Sequence, residues 1–434
     1  MKLYTPSAVE RAMKVQEVIL RAMSGEFSWI RAAEIIGISD RSMRRWKRRY
    51  EEHGYDGLLD RRTGRPSPRR APFEEVQRIL RLYRDKYLRF NVRHFHQTVT
   101  RDHGVTLSYT FIKKALQGAG LVKKRKAAHG RHFQKREPRP CFGELIHVDG
   151  SPHAWLTLEA DERQTLIAVL DDATKWLLYA QLWPEETSEA VMTALKEVVE
   201  TYGIPMALYS DRASWAFYTP KAGGEVDKEN LTQVGRALAR LGVEHLPAYT
   251  PQARGRSERL NRTLQDRLVN ELRAAGIATK RAANQYLRQR FIPQYNQDFT
   301  RPPRDPYSVF VSAQDTDLEQ IFCFEESRIV AKDNTVRFEN LCLQLQKQPG
   351  RVTCAGLKVM VRRHLDGSHS VWLGPRKLGL FDSQGKPLMK STSSQEGTPL
   401  RSTTSAPFPL PQIPSMPIHQ TLTGHFMCQN NRTS

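Results

Sequence analysis

The feature that most restricts how this chain can fold is the order of its apolar segments after residue 140. Short apolar runs of strand length alternate there with stretches whose apolar residues recur at helical spacing. In chain order, the predicted elements are strands 142–148, 165–170 and 176–182, helix 187–202, strand 206–209, helix 231–241, strand 243–246 and a helix from residue 258 to about 275. Three strands followed by alternating helices and strands predict a mixed α/β domain built around one sheet.

Three acidic residues stand where neighbouring elements of such a domain meet. The segment ELIHVDG puts Asp149 at the carboxyl end of the first predicted strand, ALYSDR puts Asp211 after the fourth, and GRSERLN puts Glu258 in the first turn of a helix. The element order is that of an RNase H-like domain, in which these ends are adjacent. Carboxylates gathered in one place repel each other unless a cation lies between them. Oxygen-only ligands favour Mg²⁺ or Mn²⁺, and a pair of such ions can assist in-line displacement at phosphorus.

Side chains around the third acidic residue are candidates for DNA contact. Arg254 and Arg256 flank a glycine beside the acidic centre, where a scissile phosphate needs neutralising. Asn261 and Arg262 follow Glu258 by three and four positions, on the same helix face, and can contact DNA or orient the carboxylate. A solvated helix face is the alternative interpretation for these two. Trp155 is a candidate either for stacking on an unpaired base or for the core.

Positive charge is concentrated in the first third of the chain. Residues 1–140 carry 33 Lys and Arg side chains against 14 Asp and Glu, whereas the other 294 residues carry 34 against 32. Such a concentration is typical of a segment that binds a polyanion. A membrane-facing patch or plain solubility is the alternative, but the same segment also carries helix-turn-helix patterning.

Residues 1–58 are predicted to form a helix-turn-helix DNA-binding domain. A short helix closed by Gly37 precedes a basic helix that begins near Ser39 or Asp40. The predicted DNA contacts of that helix are Arg41, Arg44, Arg45, Lys47 and Arg48. The side chains expected to form the core are Ile35, Ile38, Met43 and Trp46. A basic surface helix of an ordinary small bundle is the alternative.

The remaining N-terminal segments alternate between linkers and one more helical unit. Residues 59–71 form a basic Gly/Pro/Arg linker, in which Arg65 could lie in a minor groove or simply be solvated. A second helix-turn-helix-like domain is predicted over 72–124, with Lys113 and Lys114 on its DNA-contacting helix. Residues 125–140 read as a second basic linker.

The rest of the chain is predicted as a catalytic core, a small barrel and a tail. The RNase H-like core is assigned to 141–310, a small β-barrel to 320–383, and a disordered tail rich in Ser, Thr and Pro to 384–434. His94 and His96 suggest half of a zinc site, but no close cysteine pair completes it, so a structural role is favoured. No apolar run approaches the roughly 20 residues that span a bilayer. We therefore expect a soluble, cytoplasmic, nucleoid-associated protein.

The stretch from residue 147 to 271 resembles the rve-type integrase core of DDE transposases, in particular that of the ISNCY family of bacterial insertion sequences. The matching segments are H-V-D-G-S-P-H-A-W (147–155), V-L-D-D-A-T (169–174), Y-S-D-R (209–212) and P-Q-A-R-G-R-S-E-R-L-N-R-T-L-Q-D-R-L-V-N-E-L (251–272). The family's acidic triad falls on Asp149, Asp211 and Glu258. Arg212 follows the second Asp where Lys or Asn is frequent, which removes no metal ligand.

Other acidic residues compete for places in this triad. Asp171 and Asp172 end the second strand in order, where such a pair typically starts a hairpin. Glu244 follows Asp211 by 33 positions, closer to the usual integrase separation than Glu258 at 47. Its surroundings are strand-like, however, and a polar insertion at 218–230 accounts for the longer separation. Glu258 is therefore preferred.

The resemblance implies a transposase that binds terminal inverted repeats, cuts DNA there and joins the freed 3′ end to target DNA with two Mg²⁺ or Mn²⁺ ions. Because two DNA ends must be brought together, it also implies a homodimer or larger assembly. Two other interpretations stay open at this stage. One is a catalytically inert, transposase-derived DNA-binding regulator, and the other is a plain metal-dependent nuclease of the RNase H type.

Overall fold

The computed structural model describes residues 4–60, 71–124, 136–157, 163–220, 224–227, 229–249 and 255–388. The predicted tail beyond 388 and most of both predicted linkers lie outside these ranges. The chain divides into two compact units, one formed by residues 1–81 with 114–119 and the other by residues 82–113 with 120–434. No helix within the described ranges is long and apolar enough to cross a membrane.

The first compact unit contains three capped helices. They are α1 (Pro6–Met23), α2 (Trp29–Ile36) and α3 (Asp40–His53). The side chain of Ser28 caps α2, and Gly37 ends it in the left-handed conformation at φ 74°. Ser39 caps α3 by accepting a hydrogen bond from the Ser42 backbone N–H. A short helix, a glycine turn and a basic helix are therefore present as predicted.

The core of this unit includes Met43, which is fully buried, but not Ile35, which is 52% exposed. The prediction that Ile35 lies in the core is wrong. Helix α2 buries Ala32 and Ala33 and packs Ile36 beside them. At about 100° per residue, position 35 points away from that face.

Three further helices occupy the predicted second helical unit. They are α4 (Phe73–Asp85), α5 (Val92–His103) and α6 (Tyr109–Gly118). The division between the compact units passes through α4 and through α6, so it does not follow the predicted limits at 72 and 124. Those domain limits stay a prediction.

A five-stranded mixed sheet forms the centre of the second compact unit. Its elements are β1 (Ile146–His153), β2 (Gln164–Asp171), β3 (Leu177–Trp183), α7 (Ser188–Tyr202), β4 (Ala207–Ser210), α8 (Gln233–Arg240), β5 (Glu244–Pro247) and α9 (Gly255–Ala274). The strand order is β3-β2-β1-β4-β5. The pairs β1–β2 and β2–β3 are antiparallel, and β1–β4 and β4–β5 are parallel. This mixed sheet, with helices packed on it, fits the predicted RNase H-like core.

Helices cover both faces of the sheet, which explains why every residue of β2 is buried. Side chains alternate along that strand, so Ile167 and Val169 join one core cluster with α7 and α8. Leu166, Ala168 and Leu170 join another with α9, α10 (Lys280–Tyr286) and α11 (Ile292–Phe299). The second cluster places α9 against one face of the sheet. Asp149 of β1 pairs with Ala168 of β2, so its side chain points to that same face.

The segment after α11 ends in two small β-sheets. It comprises α12 (Leu318–Ile321), β6 (Cys323–Ile329), β7 (Thr335–Phe338), β8 (Leu341–Gln344), β9 (Lys358–His364), β10 (His369–Leu373) and β11 (Arg376–Phe381). The strands pair as a four-stranded sheet, β11-β10-β9-β6, and as a two-stranded sheet, β7-β8. Side chains from β7 to β11 share one apolar cluster. A β-rich segment is therefore present, but the predicted closed barrel is not confirmed.

Candidate catalytic centre

Asp149 lies within β1 and is 5% exposed. The prediction that it ends the strand is wrong, because β1 continues as an antiparallel ladder with β2 as far as His153. Burying a carboxylate is unfavourable unless hydrogen bonds compensate for lost hydration. The side-chain amide of Asn261 donates to Asp149 Oδ2 over 2.7 Å, which provides one such bond.

Asp211 directly follows β4, as predicted. Its Oδ1 accepts a hydrogen bond from the Ala213 backbone N–H at 3.1 Å. Strand β4 runs parallel to β1, with His147 paired to Tyr209. Asp149 and Asp211 each follow these paired residues by two positions. The two aspartates therefore extend from the same part of adjacent strands.

Glu258 lies in the first turn of α9 and is exposed. One turn later, Asn261 contacts Asp149, and Gln265 donates to Ser151 Oγ over 3.0 Å. Asn261 and Gln265 are four positions apart on one face of the helix. Asp149 and Ser151 are two positions apart on one face of β1. The helix segment that immediately follows Glu258 therefore lies along β1. Arg254, a predicted DNA contact, falls outside the described residues.

The donor chemistry of this centre suits a hard divalent cation. All three carboxylates offer only oxygen, the ligand that Mg²⁺ and Mn²⁺ prefer. The Oδ1 atom of Asn261 is buried beside Asp149 and has no hydrogen-bond partner within the described ranges. An oxygen in that situation suits a cation or its hydration shell. The described side chains nevertheless include no group of three or more His, Cys, Asp or Glu already gathered around one point.

The competing residue Glu244 lies far along the sheet from Asp211. It begins β5, where it pairs with Ala207 at the start of β4. Asp211 stands four residues beyond Ala207, a separation of roughly 13 Å along a strand at about 3.3 Å per residue. The register therefore disfavours Glu244 as a partner of Asp211 and gives a physical reason for preferring Glu258.

The other two competing residues, Asp171 and Asp172, lie at the turn between β2 and β3. Asp171 accepts hydrogen bonds from the backbone N–H of Gly143 and from the backbone N–H and hydroxyl of Thr174. Its burial raises its pKa to about 6 in spite of these donors. Asp172 is also fully buried, but its side chain contacts a different set of residues. These two residues therefore start a hairpin, as predicted.

Asp172 gathers donors that the sequence pattern did not reveal. His147 Nε2 contacts its Oδ1 at 2.7 Å, the Arg139 backbone N–H donates to Oδ2 over 2.7 Å, and Arg256 Nε lies 2.8 Å from Oδ1. Arg136 forms a fourth contact, also with Oδ1. Burial by itself would raise the pKa of Asp172, but the bonds from His147 and Arg139 and the nearby positive charges hold it below its ordinary value.

Arg256, a predicted DNA contact, is engaged within the protein. Its guanidinium also donates to the backbone carbonyls of Asp172 and Arg136. Burial lowers the pKa of Arg256 below its ordinary value although Asp172 opposes the shift. The side chain thus anchors the start of α9, which only the three-dimensional arrangement could reveal.

Gly150 is held between the candidate ligand Asp149 and a further carboxylate that the sequence pattern did not single out. A Cβ placed at position 150 would lie 2.1 Å from Glu186 Oε2. Trp215 fixes that carboxylate by donating to Glu186 Oε1 over 2.8 Å. A side chain at position 150 would therefore have to displace the Glu186 carboxylate from its bond with Trp215.

Trp155 belongs to the core. It is fully buried, and its Nε1 donates to the Ser151 carbonyl over 3.0 Å. The hypothesis that it stacks on an unpaired base is therefore wrong, because no face of the ring is accessible.

The remaining predicted DNA contacts are mostly exposed basic side chains. Arg41, Arg45 and Arg48 follow one another at helical spacing on α3 and are exposed. Arg44 pairs with Asp40 at 2.5 Å, and Lys47 lies 4.5 Å from the Trp29 ring centroid. Lys113, Lys114 and Arg262 are exposed as well. Arg65 falls outside the described residues.

Comparisons with known proteins agree with the helix-turn-helix prediction. A family described as "Homeodomain-like domain" matches residues 42–116, and one described as "Helix-turn-helix domain" matches residues 16–67. Both matches include residues 42–53 of α3, which carry the exposed Arg45 and Arg48. DNA binding by the N-terminal region follows from these matches together with its charge.

Two curated relatives are similar over most of their length. A putative transposase, y4bF, from Sinorhizobium fredii is 31% identical over 369 residues, 84% of this chain and 79% of the relative. The transposase for insertion sequence IS1202 from Streptococcus pneumoniae is 28% identical over 363 residues, 75% of this chain and 76% of the relative.

Solved structures show only a distant likeness. A chain of the simian T-cell lymphotropic virus intasome is 13% identical with a TM-score of 0.30, over 61% of this chain and 85% of that one. The HTLV-2 integrase catalytic core domain is 14% identical with a TM-score of 0.26, over 35% and 91%. At such scores the fold assignment depends on the strand order itself.

Proposed function

This chain belongs to the transposases of bacterial insertion sequences, and on that premise we propose that Asp149, Asp211 and Glu258 form its catalytic centre. The observation that carries the proposal is the placement of Asp149 and Asp211 at one part of two adjacent strands, with the contact between Asp149 and Asn261 bringing α9 to the same part. Glu258 lies one turn before that contact. The narrower assignment to the ISNCY family stays a prediction.

The three carboxylates would hold two Mg²⁺ or Mn²⁺ ions. Bound there, such ions would favour the deprotonated form of an attacking hydroxyl and neutralise charge on the leaving oxygen. Asn261 would keep Asp149 oriented through its side-chain amide. Burial of Asp149 would limit the competition from bulk water for its oxygens.

The reaction would consist of two displacements at phosphorus. Water first attacks the phosphate at the end of the element, the bond to the 3′ oxygen breaks, and a 3′-hydroxyl is released. That hydroxyl then attacks a phosphate of target DNA, one target bond breaks and a new phosphodiester forms. No covalent enzyme intermediate is required, so no nucleophilic side chain has to be assigned.

The N-terminal helices and the C-terminal sheets would bind DNA or a second subunit. The exposed arginines of α3, together with Lys113 and Lys114, would contact the terminal inverted repeats. The C-terminal sheets would hold DNA or a second subunit. Joining two ends would require a dimer or a larger assembly.

The decisive experiment is a Mg²⁺-dependent strand-transfer assay on the ends of the protein's own element, comparing Glu258→Gln with Glu244→Gln. Both substitutions remove one exposed carboxylate without changing side-chain size. We expect Glu258→Gln to lower joining by about three powers of ten, roughly 4 kcal/mol of activation free energy. Glu244→Gln should remain within about threefold of the wild type, since its contribution would be less than ~1 kcal/mol.

The same assay separates the alternatives. Joining that survives Glu258→Gln would refute the triad. Cleavage without joining would favour a metal-dependent nuclease. Specific end binding by a wild-type protein that neither cuts nor joins would favour the inert regulator.

A further inference from the structure

Three separate segments of the chain contact the carboxylate of Asp172. It is fully buried at the start of the β2–β3 turn. Its donors come from the segment that leads into the core (Arg136 and Arg139), from β1 (His147) and from the first turn of α9 (Arg256). A carboxylate with that many donors from distant positions fixes the segments that supply them.

Two of these donors stand beside proposed metal ligands. His147 precedes Asp149 by two positions on β1, so both side chains point to the same face of the strand. Arg256 precedes Glu258 by two positions in α9. One carboxylate therefore connects the strand that carries the first ligand with the helical turn that carries the third.

The connection to α9 is made by several bonds from one rigid group. Arg256 contacts the carboxylate and the carbonyl of Asp172 and the carbonyl of Arg136. A planar guanidinium bound at three points has little freedom to turn. Glu258 itself is exposed, so its position depends on how firmly this turn is held.

We propose that Asp172 is a positioning residue that, through Arg256 and His147, sets the separation between Glu258 and Asp149 in the metal-binding centre. This inference rests on the proposed function of those two carboxylates. Asp172 touches neither DNA nor metal in this proposal. Outer partners that orient metal ligands typically change metal affinity by about 10–100-fold when they are removed.

Asp171 provides a matched control. It adjoins Asp172 and is equally buried, but its donors are Gly143 and Thr174. Replacing either aspartate by asparagine damages one buried hydrogen-bonded carboxylate in the same turn. Only the replacement at 172 removes an ion pair with Arg256 of α9.

The experiment measures Mn²⁺ binding to the full-length protein by titration calorimetry, and thermal unfolding with and without Mn²⁺. The variants are Asp172→Asn, Asp171→Asn, Arg256→Met and the double variant Asp172→Asn with Arg256→Met. We expect Asp172→Asn to raise the Mn²⁺ dissociation constant by about 10-fold or more, and Asp171→Asn to change it by less than about threefold. Arg256→Met should reproduce the effect of Asp172→Asn, and the double variant should not add to it.

Equal Mn²⁺ affinities for the two asparagine variants would overturn the inference, because Asp172 would then act only on stability. If Asp172→Asn does not fold, Arg256→Met decides, since it leaves the bonds from His147 and Arg139 to Asp172 in place. Wild-type Mn²⁺ affinity in Arg256→Met would likewise refute the proposal.

Glu258→Gln distinguishes this inference from the proposed function. If that variant binds Mn²⁺ like the wild type, the metal centre itself is wrongly assigned. If Glu258→Gln weakens binding while Asp172→Asn and Arg256→Met do not, only the positioning role fails.

Discussion

The two ends of α9 are built in opposite ways. In its later turns, Leu264, Leu268 and Leu272 are almost completely buried against the sheet and the helices beside it. In its first turn, Glu258 is exposed, and Arg256 forms an ion pair with Asp172 and a hydrogen bond to its backbone carbonyl. Buried leucines, together with buried polar pairs, fix the later turns, whereas the contacts of Arg256 in the first turn are polar bonds of defined direction.

Even the acidic residue of the later turns differs from Glu258. Glu271 is largely buried, and its carboxylate meets His94 Nε2 at 2.7 Å and the hydroxyl of Tyr286 at 2.7 Å. His94 belongs to α5, which thereby docks on α9. Arg267 strengthens the same docking by donating to Gln97 over 2.7 Å.

This difference teaches how one helix can carry both a structural and a chemical role. Glu258 is exposed and therefore accessible to a ligand, so its side chain contributes little to folding. The buried end supplies the stability that keeps the accessible end in place. Matched substitutions at the two ends should therefore have opposite consequences.

Glu271→Ala is expected to produce the largest loss of stability. Removing one partner of a buried hydrogen-bonded pair leaves the other partner uncompensated, which typically costs about 3–5 kcal/mol. Urea denaturation at neutral pH should show this decrease in the free energy of unfolding. Glu258→Ala is the control on the same helix and should stay within about 0.5 kcal/mol of the wild type. Similar losses in both variants would contradict the contrast between the two ends.

The pH dependence of that stability gives a smaller effect with a definite sign. Burial alone would raise the pKa of Glu271, but the hydrogen bond and charge of His94 lower it below its ordinary value. A depressed folded-state pKa contributes stability above the unfolded value of about 4.3, and the contribution is lost as pH falls through the folded pKa.

The difference in unfolding free energy between the wild type and Glu271→Ala should therefore shrink as the pH falls below about 4. Urea titrations at several pH values measure it. The corresponding difference for Glu258→Ala should show much less change. A Glu271 difference that stays constant or grows below about pH 4 would mean that its carboxylate is not held in the charged form.

The two ends also differ in how far the sequence could predict them. The spacing of Leu264, Leu268 and Leu272 predicts a helix to about residue 275, and the structure ends it at Ala274. The sequence likewise predicts Asp211 at the end of a strand and Glu258 at the start of a helix. Strand ends and helix starts depend on the local pattern of residues. The sequence also predicts the correct strand for Asp149, but it ends that strand at residue 148, whereas β1 continues to His153.

What the sequence did not predict depends on contacts between distant positions. His94 and Glu271 are 177 positions apart, and Arg256 and Asp172 are 84 apart. Arg256 was expected to contact DNA because a basic residue beside an acidic centre carries the same local signal whether its partner is a phosphate or a buried aspartate. Only the packing of α9 against the β2–β3 turn distinguishes the two.

Arg262→Ala should give the smallest effect and the finest test of the exposed end. Arg262 follows Glu258 by one helical turn, so it lies on the same helix face, and it is exposed and can meet a phosphate. Losing one phosphate contact should weaken binding of the element's ends by a few fold and reduce the slope of log affinity against log salt by about 0.9.

The control for Arg262 is Arg281→Ala, which removes an exposed arginine at the start of α10. Fluorescence anisotropy at several salt concentrations measures both variants against the wild type. If Arg262→Ala leaves the salt slope unchanged, DNA does not pass along the first turns of α9. If Arg281→Ala reduces the slope as much, the contact with DNA is not confined to the end of the helix that carries Glu258. Only a change limited to Arg262→Ala supports a division of α9 between an end that meets DNA and an end that is buried for stability.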